Sequence, residues 1–159
     1  MDNIFKGQEI LKLAIRVEIN GFEFYKEVAG IIKDSSIQET FNYLSGEEVK
    51  HKTTFESMLK TVGDYAPVEN YPGEYDAHLK HLAGENIFTK EGTSKVFAYK
   101  VSSEEAAIRM GIGLERDSII FFSEMKNLLP SDTREVIDRV IQEENDHLAK
   151  LVELKNNIQ

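Results

Sequence analysis

Residues 41–55 read FNYLSGEEVKHKTTF, and residues 137–151 read IDRVIQEENDHLAKL. In each stretch an apolar side chain recurs every three or four residues, which is the spacing of one face of an α-helix. An acid and a histidine interrupt that face at the same two positions of each stretch: Glu48, His51, Glu144 and His147. The pattern therefore predicts two amphipathic helices that each carry an E-x-x-H pair on the buried side.

A further acid lies about 30 residues before each E-x-x-H pair, again within a helical pattern. Glu18 belongs to the series Leu11, Glu18, Tyr25, Ile32, and Glu115 belongs to the series Ile108, Ile112, Glu115, Ile119, Phe122. The whole arrangement recurs after about 96 residues. Four acids and two histidines are therefore predicted to face the interior, and their duplication describes a two-fold site.

Breaks in the helical periodicity predict the fold class. We expect helices at about 6–33, 36–62, 102–129 and 132–157, and a crossover at 63–101 that contains a short helical pattern near residues 77–83. The expected N-caps are Ser35 or Ser36, Ser102, and Ser131 or Asp132, and the expected stop of the second helix is Gly63. Only the middle link is long enough to recross a helix of roughly 38 Å. The chain is therefore predicted to be all-α, with two antiparallel hairpins joined by a long crossover, as in ferritin-like four-helix bundles.

The composition fits one globular domain over residues 1–159. The hydrophobic fraction of 41% in 159 residues is enough for a single buried core. The formal charge of -9 argues against binding nucleic acid or an anionic membrane. Residues 1–8 lack an export pattern, and the absence of cysteine excludes disulfides and cysteine-ligated iron. We expect a cytoplasmic protein with no nucleic-acid or membrane partner.

Four carboxylates buried together need a compensating charge. An unpaired buried carboxylate is costly, and neighbouring carboxylates repel one another or take up protons. Two divalent cations balance four carboxylates, and two neutral imidazoles complete the coordination. The mixed oxygen and nitrogen ligands suit iron or manganese, and zinc binds most such sites tightly. We expect two iron ions, with Glu48 and Glu144 bridging them and with Glu18 and Glu115 each terminating one.

Other polar residues have a plainer interpretation. A single E-x-x-H match in a chain rich in glutamate is usually an exposed helix pair, so the metal interpretation depends on both matches lying on apolar faces. Glu47 and Glu143 are each one residue off the apolar face, and we interpret them as solvated, while a contact with a metal ligand stays open as the alternative. His78 and His81 have no acids in register, and we interpret them as surface residues.

Tyr25 lies two turns from Glu18 on the same helical face, and two interpretations of it stay open. It is either a core residue with a satisfied hydroxyl, or a residue that hydrogen-bonds a metal ligand or passes an electron. The same reasoning expects the apolar faces of the first and last helices to extend to Ile31 and Ile158.

With these motifs in place, the chain resembles the rubrerythrin branch of the ferritin-like di-iron carboxylate superfamily, over about residues 6–62 and 102–158. By position, the resemblance implies Glu18 and Glu115 as terminal carboxylates, Glu48 and Glu144 as bridges, His51 and His147 as nitrogen ligands, and Tyr25 as the tyrosine near the cluster. It implies an oxidoreductase that reduces hydrogen peroxide or dioxygen. The expected partners are a separate electron-donor protein and further copies of the chain, in a homodimer or larger homo-oligomer.

Two features depart from the rubrerythrin pattern. Rubrerythrins have an additional glutamate one turn after the third-helix ligand, which exchanges with a histidine as the iron changes oxidation state, and this chain has Ser118 there. The chain also lacks a cysteine-containing rubredoxin domain, so electrons are expected from another protein. Two other functions stay open: ferritin-like iron oxidation and binding, or helical interaction with a structural metal site.

Overall fold

The computed structural model describes residues 7–85, 98 and 100–158, and this part of the chain contains helices and no strands. Its α-helices are α1 (Gly7–Ile31), α2 (Ser35–Thr61), α3 (Glu74–Glu85), α4 (Glu104–Met125) and α5 (Arg134–Asn157). The all-α prediction is confirmed, and α3 is the short helix expected within the crossover. Residues 86–97 and 99 of that predicted crossover lie outside the described residues. Within the described residues, no helix is long and apolar enough to cross a bilayer.

The start of α2 differs by one residue from the prediction. The carboxylate of Asp34 accepts the backbone N–H of Ile37 at 3.0 Å, so Asp34 is the N-cap rather than Ser35 or Ser36. Asp and Ser are nearly equivalent caps, and the sequence alone does not choose between neighbours. Gly63 follows the helix with a φ of 59°, the left-handed conformation expected at a helix stop.

The link between α4 and α5 is longer than predicted, because both helices stop short of their predicted bounds there. Ser103 caps α4 instead of Ser102, since its hydroxyl accepts the N–H three residues further on at 3.0 Å. The α-helix ends before the predicted residue 129 because residues Lys126–Leu128 form a 3₁₀ turn instead. A second 3₁₀ turn at Ser131–Thr133 precedes α5, which has no side-chain cap, so the predicted caps Ser131 and Asp132 were wrong.

The helices form the predicted pair of antiparallel hairpins. The N–H of Gly7, at the start of α1, donates to the carbonyl of Tyr65, just beyond the end of α2, at 2.8 Å. At the other end of this hairpin, the ring of Phe24 lies 6.3 Å from that of Phe41. The second hairpin is α4 and α5, and the two hairpins pack through α1 against α4 and α2 against α5. The result is a four-helix bundle.

The interior of the bundle contains two apolar clusters with a polar layer between them. One cluster includes Phe24, Phe41, Ile108 and Leu151, and the other includes Leu11, Phe55, Phe122 and Ile137. Ile31 and Ile158, predicted on buried faces, are 59% and 38% exposed because they lie where their helices end. The polar layer holds the acids and histidines of the sequence repeat.

Candidate metal centre

Six polar side chains from four helices meet in the layer between the apolar clusters. They are Glu18 from α1, Glu48 and His51 from α2, Glu115 from α4, and Glu144 and His147 from α5. None is more than 2% exposed. The i, i+3 spacing places the acid and the histidine of each pair on the same helical face. The structure therefore brings together all six residues that the sequence singles out.

These side chains form two overlapping groups of four. One group is Glu18, Glu48, His51 and Glu144, and the other is Glu48, Glu115, Glu144 and His147. Within each group the ligand atoms lie within 4.8 Å of one another. Glu48 and Glu144 belong to both groups, whereas each group has its own further acid and its own histidine. The geometry is that of a two-fold site with two shared carboxylates.

Both imidazoles turn Nδ1 toward the carboxylates. His51 Nδ1 is 3.3 Å from Glu144 Oε1 and 3.8 Å from Glu18 Oε1. His147 Nδ1 is 3.0 Å from Glu144 Oε2 and 3.8 Å from Glu115 Oε2. The two rings stack with centroids 5.5 Å apart and an interplanar angle of 24°. Each histidine thus presents the same ring atom to its own half of the cluster.

Several atoms of the cluster have no hydrogen-bond partner. These are both oxygens of Glu18, one oxygen each of Glu48, Glu115 and Glu144, and Nδ1 of His51. Most buried polar atoms in proteins are hydrogen-bonded, and an unpaired one costs about 1–3 kcal/mol. A cation in each group of four would satisfy these oxygen and nitrogen atoms. The residues present therefore fit a pair of metal ions.

Burial shifts the titration of three of the four acids toward the neutral form. Burial is the main cause of a raised pKa of about 8 at Glu18, and the charge of Glu144 adds to the rise. Burial, followed by the charge of Glu144, also raises the pKa values of Glu48 and Glu115 well above their usual range. Protons therefore neutralise part of the cluster when no cation does so.

Glu144 and His51 behave in the opposite way and form a charged pair. Burial alone would raise the pKa of Glu144, but the hydrogen bond with His147 and the nearby charge of His51 lower it to about 2. Burial alone would lower the pKa of His51, but the carboxylates of Glu144 and Glu18 raise it to about 10. Because metal ligands must be deprotonated, cations that bind here displace protons from the cluster.

The hydroxyl of Tyr25 contacts an acid on a different helix from the one that its sequence position suggests. It donates a hydrogen bond to Glu115 Oε1 on α4 and lies 3.4 Å from the carbonyl oxygen of Gly111. Its buried ring packs edge-on against Phe24 and Phe41. Burial and then the charge of Glu115 raise the pKa of Tyr25 well above its usual range. Tyr25 is therefore both a core residue and a hydrogen-bond donor to a carboxylate of the cluster.

Two glycines make room for the site, and the sequence interpretation assigned neither to it. A Cβ atom on Gly21 would lie 3.0 Å from Glu48 Oε2, and one on Gly111 would lie 3.3 Å from Cε1 of Tyr25. Glycine inside a helix is less favourable than alanine by roughly 0.5–1 kcal/mol. A glycine on the buried face of a predicted helix was the signal that the sequence offered, because such a glycine is unfavourable for the helix unless another group must approach it closely.

Glu143 is solvated, as the sequence favours, and it also contacts a histidine of the cluster, which is the alternative that the sequence left open. Its Oε2 lies 2.7 Å from Nε2 of His51, although its side chain is 53% exposed. Glu47 Oε2 lies 3.9 Å from Nε2 of His147, and its side chain is 13% exposed. Glu143 lies at the edge of the contact between α2 and α5, where its long side chain is exposed to solvent and also contacts the imidazole of His51. The repeat of a glutamate before each E-x-x-H pair was the signal for this contact.

His78 and His81 are surface residues, as predicted, and Ser118 is a buried residue next to the cluster. His78 is exposed with Nε2 3.3 Å from Glu124 Oε2, and His81 is also exposed. Ser118, one turn after Glu115, is buried at 2% exposure. In the described part of the chain, acids and histidines form no further group of this geometry.

Comparisons with known proteins agree with the fold and with the general type of site. The sequence pattern of the rubrerythrin family matches residues 9–155. A Thermotoga maritima structure, provisionally assigned as a ferritin-like diiron-carboxylate protein, superposes with a TM-score of 0.72 at 27% identity, over 98% of this chain and 97% of that one. A hypothetical protein from Pyrococcus furiosus shares the fold, with a TM-score of 0.65 at 18% identity over 96% of this chain and 89% of that one. No curated protein matches the chain significantly.

The bundle and its buried cluster of carboxylates and histidines define a ferritin-like di-iron carboxylate protein by fold and by type of site. The chain belongs to the rubrerythrin family, and the matched residues 9–155 contain the whole cluster. This family implies a di-iron site, and the cluster fits one.

Proposed function

We propose that this chain is a rubrerythrin-like oxidoreductase that reduces hydrogen peroxide or dioxygen at a pair of iron ions. The observation that carries the proposal is the pair of overlapping groups that share Glu48 and Glu144 and leave buried carboxylate oxygens without donors. A core stabilised by ion pairs alone would need those oxygens to be hydrogen-bonded. Membership of the rubrerythrin family supports the reaction class.

Each of the six residues has a proposed role in holding the ions. Glu48 and Glu144 would hold both ions, because they belong to both groups. Glu18 and His51 complete one position, and Glu115 and His147 complete the other. Manganese or zinc fits the same ligand types, but zinc has no redox chemistry, and the rubrerythrin family implies iron, which is why we propose iron.

When bound, the ferrous pair supplies one electron from each iron, and two protons complete the conversion of hydrogen peroxide to two waters. The chain contributes the surroundings of that reaction. The cluster lies between two apolar clusters, so bulk water is excluded and charges on the carboxylates act strongly. Tyr25 holds a proton at its hydroxyl oxygen and orients Glu115 through its hydrogen bond.

The source of electrons and the assembly are part of the same proposal. The 159 residues contain no cysteine that could ligate iron, and we propose a separate protein as the electron donor that re-reduces the site. We place the protein in the cytoplasm as a homodimer or larger homo-oligomer. A cage-sized particle that accumulates more iron than its site holds would instead indicate ferritin-like iron storage.

An anaerobic ferrous titration tests the proposed site. The wild-type chain is expected to saturate at two ions, and Glu48→Gln and Glu144→Gln are each expected to abolish the second binding event because they remove a bridging charge. Glu39→Gln is a matched control, since it removes an exposed carboxylate of the same helix as Glu48.

Stopped-flow oxidation of the two-iron protein by peroxide and by dioxygen then tests the reaction. A titration that is indifferent to both bridging substitutions, or a two-iron protein that reacts with neither oxidant, would overturn the proposal.

A further inference from the structure

We propose that Glu143 is a positioning residue for His51, and that it makes the two metal positions unequal. The tighter position is the one formed by Glu18 and His51, and the weaker is the one formed by Glu115 and His147. This inference rests on the proposed pair of ions and adds the order in which the positions fill.

The contact between Glu143 and His51 fixes which ring nitrogen faces the site. Glu143 Oε2 lies 2.7 Å from Nε2 of His51. A carboxylate only accepts hydrogen bonds, so Nε2 donates its proton to Glu143. The lone pair of the metal-bound imidazole is then on Nδ1, which has no hydrogen-bond partner and lies 3.3 Å from Glu144 Oε1. The contact crosses from α5 to α2, so it also fixes the ring relative to both shared carboxylates.

The equivalent contact in the other half of the site is not made. Glu47 Oε2 is 3.9 Å from Nε2 of His147, which is beyond hydrogen-bond distance. The other oxygen of Glu47 is held by the ammonium group of Lys50, one turn further along α2. On the outer side of His147 the described contact is the ring of Tyr43, with centroids 6.2 Å apart and an angle of 89°. His147 therefore lacks the charged acceptor that orients His51.

A carboxylate that accepts the outer N–H of a metal-bound histidine orients the ring and increases its basicity. Loss of such a partner typically lowers metal affinity about 10- to 100-fold. The side chain of Glu143 is 53% exposed, so water competes for its oxygens. The expected loss of metal affinity is therefore nearer about tenfold than 100-fold. Glu47 makes no direct contact with His147, so its removal is expected to change neither affinity appreciably.

Calorimetric titration with ferrous ion under anaerobic conditions tests this difference on the intact chain. Glu143→Ala is expected to weaken the first of the two binding events about tenfold, and Glu47→Ala, the matched control, to leave both events unchanged. Glu143→Gln retains an oxygen acceptor and is expected to restore the first event. Circular dichroism of each variant confirms that the bundle is folded.

A second readout reports the orientation of the imidazole directly. In the zinc-loaded wild-type protein, long-range ¹H–¹⁵N spectra are expected to show a slowly exchanging proton on Nε2 of His51, and Glu143→Ala is expected to remove that slow exchange. Equal effects of Glu143→Ala and Glu47→Ala, or no rescue by Glu143→Gln, would overturn this inference while wild-type binding of two ions stands. A wild-type chain that binds fewer than two ions would overturn the proposed function as well.

Discussion

At the scale of single residues, the contact between Tyr25 and Glu115 distinguishes the two oxygens of one carboxylate. The hydroxyl of Tyr25 donates to Oε1 of Glu115, while Oε2 of the same carboxylate has no hydrogen-bond partner. One oxygen is therefore oriented by the protein and the other is available to a cation. The sequence could place Tyr25 on the apolar face of α1, but it could not reveal a partner on α4, because that contact depends on how two helices pack.

Replacement of Tyr25 by phenylalanine tests the orienting role. Tyr25→Phe removes the hydrogen bond to Glu115 and is expected to slow oxidation of the two-iron protein by peroxide about 10- to 100-fold. The measurement is stopped-flow absorbance under anaerobic mixing. Tyr71→Phe, at a residue that is 61% exposed, is the control. Equal rates for both variants would contradict the role of Tyr25.

The raised pKa values predict an unusual pH dependence for the metal-free protein. The pKa of Glu18 rises from 4.5 in the unfolded chain to about 8 in the folded chain, and the pKa of His51 rises from 6.5 to about 10. The folded state therefore retains protons at pH values where the unfolded state has lost them. Their stabilisation is complete below the unfolded pKa and is lost as the pH rises through the folded pKa. The lowered pKa of Glu144 acts in the opposite direction, but only below about 4.5.

The free energy of unfolding of the metal-free protein is therefore expected to fall between pH 5.5 and 8.5, by on the order of a few kcal/mol. The additional stability conferred by metal should rise over the same range, because cations compete with protons for the ligands. Urea denaturation of metal-free and zinc-loaded protein at both pH values measures the two trends. A metal-free protein that becomes more stable toward pH 8.5 would show that the acids are not buried together.

At the level of the helices, the position of each proposed ligand follows from register. The E-x-x-H pairs of α2 and α5 could be predicted because they replace apolar residues in an i, i+3, i+4 pattern. The helix ends were less predictable, since Asp34, Ser35 and Ser36 are equivalent as cap types and the neighbours of Pro130 form 3₁₀ turns. The sequence could not choose between solvent and the site for Glu143, because register indicates the face of a side chain but not how far that side chain extends along an edge.

Gly21 provides a test of how closely α1 approaches the site. A Cβ atom there would lie 3.0 Å from Oε2 and 3.1 Å from Cδ of Glu48, so Gly21→Ala is expected to displace a shared carboxylate and weaken ferrous binding at least about tenfold. Gly46→Ala, on the same helix as Glu48, is the control because its Cβ would have no neighbour within 4 Å. The control should raise stability by about 0.5–1 kcal/mol without changing binding. Wild-type titration curves for Gly21→Ala would contradict the tight packing.

At the scale of the whole molecule, the bundle separates two apolar clusters by a layer of charge. The sequence predicts this layout because its repeat places acids in the middle of each long helix and apolar residues on both sides. The antiparallel hairpins and the ferritin-like fold were predictable from the lengths of the links. The outer contacts of the two histidines were not, because the two halves of the repeat are similar in sequence but differ in side-chain contacts.

The central claim is that this layer holds two metal ions between the four helices. Anomalous X-ray diffraction at the iron edge, from crystals of the ferrous-loaded protein, tests it most directly. We predict two peaks about 3.5–4 Å apart, both between Glu48 and Glu144, one beside Nδ1 of His51 and the other beside Nδ1 of His147. Fully loaded crystals with no peak in this layer, or with iron only at surface acids, would contradict the account.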